Sequence, residues 1–344
     1  MIVLTKAEVR TALPMDIAIE AAKEAFVASC SGRTVIPLRT AIATPDKAGV
    51  SLFMPGYVDG PSGAMPAAKQ AENVLGVKVV SIFENNPRLG LPTTQAALLL
   101  ISPATGEPLA LMEAGSLTAI RTGAASGVAA NLFSRIDSSV ATVFGAGAQA
   151  RTQLEALAYV RPLARAYVYD VDRRRAQALV DEMEEYLQKI RPGIRLSVAD
   201  NTDDAASEAD IIACATTSAV PPFPGKSVRP GTHINAIGSY TPDRRELDET
   251  LLLRASKVVV DSREAVLAEA GDFLIPMRNG VFGSDIIGAE IGEVLLGKKP
   301  ARESPDEITI YKAVGMAALD LVAAKTAYDR AIRLRLGTSV ESFS

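Results

Sequence analysis

The chain has 344 residues, of which 48% are hydrophobic, and it carries 36 Lys and Arg residues against 40 Asp and Glu residues. This length predicts about two domains, and the net charge of −4 disfavours nucleic-acid and membrane-surface binders, which are usually basic. We therefore expect no nucleic-acid partner and no membrane association. The single histidine and the two widely separated cysteines, Cys30 and Cys214, do not make a metal site.

The N-terminal segment has no features of a signal peptide, because Lys6, Glu8 and Arg10 interrupt it early. The longest apolar run, AALLLI at residues 96–101, is too short to span a bilayer. We therefore expect a cytoplasmic protein with reduced cysteines.

The first part of the chain predicts two helices followed by a group of strands. Thr5 and Glu8 form a capping-box pattern that begins the first helix, and a second helix is predicted from Met15 to Ser31, ending at Gly32. Apolar and β-branched runs separated by Pro, Gly and Asn then predict strands over residues 35–110. An Ala- and Gly-rich stretch up to Phe133 predicts a closely packed helix.

Strands alternate with helices in the second part of the chain. Strands are predicted in VATVFG, ARAYVYD, RLSVA, ADIIACATT, THINAIG and KVVVDS, with helical patterns between several of them. This alternation predicts an α/β fold with a parallel, doubly wound sheet of the Rossmann type. The tail adds a final strand in EITIYKAVG and a helix in MAALDLVAAKTAYDRAI, which we expect to pack back on the N-terminal half.

The segment GAGAQA, from Gly145 to Ala150, lies between a predicted strand and a predicted helix and matches a dinucleotide-binding fingerprint. Gly145 and Gly147 permit a tight turn and the close approach of a pyrophosphate, which the first amides of the helix bind. Asp170 ends the next strand, 25 positions after Gly145. It would accept hydrogen bonds from ribose hydroxyls, which favours NAD over NADP.

The stretch Arg173–Arg175 leaves NADP open, since an arginine there could meet a 2′-phosphate. We favour NAD and interpret these arginines as the solvated first turn of a helix. Thr216 and Gly238 follow later strands of the sheet, and ligands lie at the carboxyl ends of such strands, so both are predicted to line the cofactor. We interpret Cys214 and His233 as structural residues.

Three basic residues of the N-terminal half, Arg39, Lys78 and Arg121, stand among apolar or small residues. Lys78 interrupts a β-branched strand, where a buried charge is costly unless it is paired. A substrate carboxylate would pair with Lys78, and Arg39 or Arg121 would form a fork on it; an ordinary salt bridge is an equal alternative for each. Asp272, after the last predicted Rossmann strand, is a candidate acid or base, or a loop or helix-capping residue.

Several motifs resemble the ornithine cyclodeaminase/μ-crystallin family and occur in its order: GVKVV, NPRLGLPT, LTAIRTGAAS, VFGAGAQA, GTHINAIGSY, the GD of AGDFLIP, and EITIYKAVG. The resemblance extends from about Leu4 to Arg330. It implies a homodimer in which residues 1–121 plus 316–344 form the substrate-binding and dimerisation domain and residues 122–315 form the Rossmann domain. It also implies NAD or NADP facing a small amino or imino acid.

The resemblance assigns roles to individual residues. On the substrate side, the positions that match carboxylate-binding residues are Arg39, Lys78 and Arg121. Thr93 matches a contact residue near the substrate and the nicotinamide. Arg121 and Thr93 are also expected to contact the cofactor. Ala148 and Gln149 match phosphate-loop positions, Asp170 matches the ribose-binding acid, and Asp272 matches the acid used in proton transfer or cyclisation.

One position departs from the family pattern. Ornithine cyclodeaminases carry a glutamate just before a Met-Pro pair, where it helps to place the distal amine of the substrate, whereas here Leu52 or Phe53 stands in its place. An apolar group cannot hold an ammonium, so this departure favours a substrate with a compact, uncharged tail.

The leading hypothesis is an NAD(P)H-dependent imine reductase that converts a cyclic ketimine carboxylate, such as Δ1-pyrroline-2-carboxylate, to L-proline. Lys78 and the arginines would hold the carboxylate, and Asp272 would keep the imine nitrogen protonated. The alternatives are an ornithine cyclodeaminase releasing ammonia, an alanine-type dehydrogenase, a hydroxyproline dehydratase and a non-catalytic μ-crystallin-like binding protein.

Overall fold

The computed structural model describes residues 1–46, 49–60 and 73–341. The chain folds into two compact units, and we call Met1–Arg121 with Ala317–Ser344 the first unit and Thr122–Met316 the second unit. Within the described ranges, no helix is long and apolar enough to cross a bilayer.

The strands, numbered along the chain, are β1 (Ile2–Leu4), β2 (Thr34–Val35), β3 (Thr40–Ala43), β4 (Val50–Val58), β5 (Val74–Ile82), β6 (Thr94–Ile101), β7 (Pro108–Glu113), β8 (Val140–Phe144), β9 (Arg165–Tyr169), β10 (Arg195–Val198), β11 (Ile211–Cys214), β12 (His233–Ala236), β13 (Lys257–Val260), β14 (Ala289–Glu290), β15 (Thr309–Lys312) and β16 (Thr338–Ser339).

The helices are α1 (Lys6–Ala12), α2 (Met15–Cys30), α3 (Ala114–Phe133), α4 (Ala150–Val160), α5 (Arg173–Ile190), α6 (Thr202–Glu208), α7 (Glu249–Arg254), α8 (Arg263–Glu269), α9 (Gly271–Arg278), α10 (Ile291–Leu295) and α11 (Ala317–Leu334). Short 3-10 turns add Asn86–Leu89, Gly225–Ser227 and Ser284–Ile286.

The predicted N-terminal helices are confirmed. Glu8 N donates to Thr5 Oγ1 and Thr5 N donates to Glu8 Oε2, at 3.4 and 2.9 Å, so the capping box begins α1. The helix α2 ends at Cys30, and Gly32 follows with a φ of +70°. The Ala- and Gly-rich stretch forms α3, as its composition predicts.

The sheet of the first unit has the order β16-β1-β7-β6-β5-β4-β2, and β3 also pairs with β4. The strands β4, β5, β6 and β7 pair antiparallel with one another in this order, and β7 pairs in parallel with β1. The C-terminal helix α11 packs against α1, α2, β4 and β5, which confirms the prediction that it returns to the N-terminal half.

The two faces of this sheet differ in burial. One cross-strand row consists of Met54, Lys78, Leu98 and Met112. Each of these residues is at most 6% exposed, so this face of the sheet is covered. The adjacent row points to the opposite face and is apolar but only half-buried or exposed: Pro55, Val77, Leu99 and Leu111. The helix α11 lies on the first face, because its Asp320 contacts Lys78.

The described residues of the second unit form an eight-stranded parallel sheet with the order β10-β9-β8-β11-β12-β15-β13-β14. The strand order reverses between β8 and β11, and such a switch point is where doubly wound sheets bind nucleotides. The predicted Rossmann-type sheet is confirmed.

The position of β15 corrects one expectation. KVVVDS was predicted as the last strand of this sheet, but β15 comes later in the chain and pairs with both β12 and β13. All four residues of β15 are buried. Asp272 therefore lies within the chain segment that builds the sheet, not beyond it.

Candidate active site

The fingerprint loop follows β8 at the switch point. Gly145 has a φ of +96°, and a Cβ there would lie 2.5 Å from the carbonyl oxygen of Ala215, so the position requires glycine. A Cβ on Gly147 would instead meet open space, with Arg175 Nη2 as its nearest neighbour at 4.0 Å. The loop is therefore packed on one side and open on the other.

The start of α4 fits a phosphate group. Gln149, the residue preceding the helix, makes no side-chain capping bond, so the first amides of α4 have no cap of this kind. Its Oε1 is enclosed and accepts no hydrogen bond from the described residues. Ala148 lies exposed in the same loop. These features fit the pyrophosphate of a dinucleotide.

Asp170 directly follows β9 and is half-buried. Its Oδ2 accepts a hydrogen bond from Ala146 N at 2.7 Å, and its Oδ1 accepts one from Asp172 N at 2.9 Å. The carboxylate is therefore attached to the fingerprint loop. Each carboxylate oxygen has capacity for a further hydrogen bond, which suits ribose hydroxyls.

Thr216 and Gly238, which follow β11 and β12 and were predicted to line the cofactor, are joined by Glu246. The sequence alone did not reveal this residue. The Glu246 carboxylate has no exposed surface and accepts hydrogen bonds from Thr216 N at 2.7 Å and Gly238 N at 2.8 Å. Burial raises the pKa of Glu246, although the charge of Lys312 opposes this effect. One buried carboxylate thus fastens the loops that follow both strands.

Asp272 lies in the first turn of α9 and also has no exposed surface. Its Oδ1 accepts hydrogen bonds from Glu246 N at 2.6 Å and Leu247 N at 2.9 Å, and its Oδ2 lies 2.7 Å from Lys312 Nζ. Asp272 is therefore enclosed by groups of the chain itself, in a geometry that suits a positioning role through Glu246. Its role as an acid or base stays a prediction.

Cys214 and His233 are both fully buried, as expected of structural residues. Burial raises the pKa of the Cys214 thiol well above its usual value. His233 bonds Thr309 and Asn235, and burial lowers its pKa to about 3, so the imidazole is neutral near pH 7.

In the first unit, two of the predicted substrate residues meet on one aspartate. Lys78 Nζ lies 2.6 Å from Asp320 Oδ2, and Arg121 Nε lies 2.9 Å from Asp320 Oδ1. The side chains of Lys78, Arg121 and Asp320 are 2%, 9% and 1% exposed. The salt-bridge alternative weighed for Lys78 and Arg121 is therefore present, with α11 supplying the carboxylate.

The charges in this cluster change the pKa values of its members. The pKa of Lys78 is lowered to about 8, chiefly by burial and also by the charges of Arg121 and Arg39, while Asp320 acts in the opposite direction. Burial alone would raise the pKa of Asp320, but Arg121 and Lys78 outweigh it and the pKa is lowered. Asp320 is therefore ionised near neutral pH, and Lys78 is mostly protonated.

Arg121 is fixed at one nitrogen only. Its Nε donates to Asp320, and its two terminal nitrogens donate no hydrogen bond to any of the described residues. Arg39 is half-buried just before β3, and its charge affects Lys78. Thr93 is half-buried just before β6, and its carbonyl oxygen accepts a hydrogen bond from Phe83 N at 2.9 Å.

The register of β4 decides which apolar residue faces the cations. Faces alternate along a strand, so Leu52 shares a face with Lys78, while Phe53 points to the opposite face. Leu52 pairs with Val80, which pairs with Ala96, and all three are half-buried. An apolar row therefore lies one step along the sheet from the charged cluster.

The two units offer complementary chemistry. The first presents cations beside an apolar row, which suits a small carboxylate with an uncharged tail. The second presents a glycine loop, a helix N-terminus without a side-chain cap and an acid at the end of β9, which suit a dinucleotide.

Comparisons with known proteins agree with this description. A sequence model described as the ornithine cyclodeaminase/mu-crystallin family matches residues 1–334. The chain is 36% identical over 341 residues to a Δ1-pyrroline-2-carboxylate reductase of Bacillus cereus, covering 99% of this chain and 100% of that protein.

Solved structures show the same similarity. Thermococcus litoralis Δ1-pyrroline-2-carboxylate reductase in complex with NADH and L-proline has a TM-score of 0.90 and 40% identity, covering 99% of this chain and 100% of that one. An archaeal alanine dehydrogenase dimer with bound NAD has a TM-score of 0.88 and 35% identity, covering 100% and 99%. The chain therefore belongs to the ornithine cyclodeaminase/mu-crystallin family.

Proposed function

We propose that this protein reduces Δ1-pyrroline-2-carboxylate, or a cyclic ketimine carboxylate of similar size, to the cyclic L-amino acid with NAD(P)H. The observation that carries the proposal is the state of Arg121, whose Nε is held by Asp320 while its terminal nitrogens donate to none of the described residues. The names of the Bacillus cereus and Thermococcus litoralis relatives support the same reaction.

The charge of the cluster supports carboxylate binding. Lys78 and Arg121 bring two positive charges against the one negative charge of Asp320. An excess of positive charge among largely buried groups is stabilised by a bound anion. The terminal nitrogens of Arg121 have the fork geometry that binds both oxygens of a carboxylate.

The apolar row supports an uncharged substrate tail. Leu52, Val80 and Ala96 offer no acceptor for an ammonium group, whereas a five-membered ring is apolar on both faces. This favours a cyclic imine over ornithine as the substrate.

The loop Gly145–Ala150 and Asp170 would hold the dinucleotide, and Glu246 fixes the loops that carry Thr216 and Gly238. A bound reduced nicotinamide supplies the hydride that the imine carbon accepts. The work of the protein is to bind the carboxylate, exclude water and orient the imine carbon.

Lys78 is a better candidate than Asp272 for donating the proton that the imine nitrogen accepts. Reduction turns the C=N bond into a CH–NH unit, so the nitrogen must be protonated as the carbon accepts hydride. The pKa of about 8 lets Lys78 hold a proton at neutral pH and release it more readily than an ordinary lysine. We therefore assign the proton to Lys78 and a positioning role to Asp272.

We also propose that the first unit binds substrate and mediates a homodimer, while the second unit binds the cofactor. The open sheet face formed by Pro55, Val77, Leu99 and Leu111 is apolar, and such faces are normally covered. The alanine dehydrogenase relative is a dimer. We keep the cytoplasm as the proposed location, because the reaction consumes reduced cofactor.

The test is a turnover assay with purified protein. Absorbance of reduced nicotinamide is followed with Δ1-pyrroline-2-carboxylate, and ammonia release from L-ornithine with NAD+ is measured in parallel. We expect cofactor oxidation with the imine and no ammonia from ornithine. Ammonia release with a flat absorbance trace would establish a cyclodeaminase instead.

A further inference from the structure

The three arginines at the start of α5 have different surroundings. Arg173 Nη1 donates to Asp200 Oδ1 at 2.7 Å, and Arg174 Nε donates to Asp172 Oδ1 at 3.3 Å. The side chain of Arg175 makes no hydrogen bond or ion pair with any residue in the described part of the chain. Two of the three arginines are thus in local ion pairs, whereas Arg175 acts on Asp172 only through its charge, without an ion pair.

Arg175 also lies beside the fingerprint loop. Its Nη2 is 4.0 Å from the position of a Cβ on Gly147, and no other atom of the described residues lies within that distance. Arg173 and Arg174 are directed instead to carboxylates on Asp200 and Asp172. Arg175 therefore borders the open side of the loop that follows β8.

The carboxylate of Asp170 is held nearby. Its two oxygens accept hydrogen bonds from Ala146 N and Asp172 N, which stabilise its negative charge. In doubly wound sheets the group on the ribose 2′ carbon lies at the end of this second strand, where an acid binds a hydroxyl or an arginine binds a phosphate. Here an acid bonded to Ala146 and an arginine next to Gly147 both border the fingerprint loop.

We propose that Arg175 binds the 2′-phosphate of NADPH, so that the protein uses NADPH through Arg175 and NADH through Asp170. A guanidinium binds phosphate with charge-assisted hydrogen bonds, and its bidentate geometry suits the phosphate oxygens. This proposal adds to the proposed function and rests on it, because it requires that the protein bind a nicotinamide cofactor.

The test measures cofactor binding directly, by nicotinamide fluorescence, and so does not depend on the substrate. Dissociation constants for NADPH and NADH are compared for the wild type and for Arg175→Ala, with Arg173→Ala and Arg174→Ala as matched controls. Arg175→Ala should raise the NADPH constant about tenfold or more, as expected for losing a charged hydrogen bond. The NADH constant should change by less than about threefold, and both controls should change either constant by less than about threefold.

Three results would overturn the proposal. One is an equal loss of NADPH and NADH binding in Arg175→Ala, which would assign the residue to the pyrophosphate. Another is an NADPH constant that does not change in that variant. The third is a wild type that binds NADH but not NADPH. If imine turnover is missing while Arg175→Ala weakens NADPH selectively, the proposed reaction fails and the assignment of Arg175 stands.

A competition experiment separates the phosphate groups of the ligand. Adenosine 2′,5′-bisphosphate and adenosine 5′-monophosphate are titrated against bound NADH in the wild type and in Arg175→Ala. We expect the bisphosphate to compete more strongly than the monophosphate in the wild type, and the two to compete equally in the variant. Equal competition in the wild type would contradict the assignment.

Discussion

The salt-bridged cluster around Asp320 shows how one buried acid can prepare a binding site. By holding Lys78 Nζ and Arg121 Nε, Asp320 fixes the direction of both cations without using the terminal nitrogens of Arg121. A buried charge is costly unless it is paired, and Asp320 stabilises both cations before any ligand binds. The remaining positive charge favours a carboxylate.

The pKa of Lys78 predicts an alkaline limit to activity. Lys78 is charged below a pKa of about 8 and neutral above it. If the charged form binds the substrate carboxylate, kcat/KM should be insensitive to this group below pH 8 and should fall about tenfold per pH unit above it. The pH profile of kcat/KM measures this limb. Lys78→Arg stays charged, so persistence of the limb in that variant would assign it to another group.

Substitution of Asp320 by asparagine should weaken the substrate site. Asp320→Asn removes the charge that raises the pKa of Lys78, so the alkaline limb should move to lower pH. We expect kcat/KM for the imine to fall about a hundredfold, in line with the loss of hydrogen bonds to charged groups. The dissociation constant for NADH should be unchanged.

Asp329→Asn on the same helix is the matched control, because the Asp329 carboxylate is 45% exposed and pairs with the neighbouring Lys325. It should leave both the pH profile and kcat/KM as in the wild type. A limb that does not move in Asp320→Asn would show that Asp320 does not control Lys78.

The unusual position of Lys78 was visible in the sequence, but its partner was not. A lysine inside a β-branched run is conspicuous because burying its charge needs compensation. Asp320 stands 242 positions later in an ordinary helical pattern, and no local signal joins the two residues. Glu246 was missed for a related reason, since it follows two arginines in a charged stretch typical of an exposed surface.

At the level of elements, the two glycines Gly123 and Gly147 serve different purposes. A Cβ on Gly123 in α3 would lie 2.5 Å from the carbonyl oxygen of Thr152, so this glycine allows α3 to pack closely. Apart from its chain neighbours, the described atom nearest to a Cβ on Gly147 would be Arg175 Nη2, at 4.0 Å. This glycine therefore leaves room for a ligand.

Alanine substitutions should separate these purposes. Gly123→Ala should lower the free energy of unfolding by about 2 kcal/mol through overpacking. Gly147→Ala should change it by less than about 0.5 kcal/mol, as at other unconstrained surface positions. Gly147→Ala should nevertheless raise the NADH dissociation constant about tenfold, because a methyl group occupies the space of the pyrophosphate. Denaturant unfolding and cofactor fluorescence measure the two effects, and a Gly147→Ala variant with normal NADH affinity would contradict the proposed cofactor site.

Elements with strong local signals were predictable, whereas their order in the sheets was less so. The capping box at Thr5 and the glycine loop after β8 depend on residues only a few positions apart. The insertion of β15 between β12 and β13 depends on pairing between strands distant in sequence. Because register and strand order are properties of the folded chain, the tail strand was recognised but its place was not.

For the whole molecule, the open face of the first unit's sheet predicts an oligomer. Leu111 is 38% exposed on this face, and its cross-strand neighbour Leu99 is also apolar. In a twofold interface a single substitution occurs twice, so Leu111→Glu should place two like charges in it.

Leu111→Glu should therefore shift the protein from dimer to monomer at micromolar concentration. Light scattering after size-exclusion chromatography measures the mass. Ile136→Glu, at an apolar position of the second unit that is 85% exposed, is the control and should remain dimeric. A wild type that is monomeric at all concentrations would overturn the prediction.

Transfer of a hydride from NADH to the imine carbon can be followed with deuterium. The protein is incubated with Δ1-pyrroline-2-carboxylate and NADH carrying deuterium at the transferable position, and the product is examined by mass spectrometry. Both stereospecifically deuterated forms of NADH are tested, and with the form whose deuterium is transferred we expect L-proline with one deuterium at Cα for each NADH oxidised. Proline formed from L-ornithine with ammonia release, and no deuterium gained from added NADH, would contradict this expectation, because a cyclodeaminase returns the hydride it removed from its own substrate.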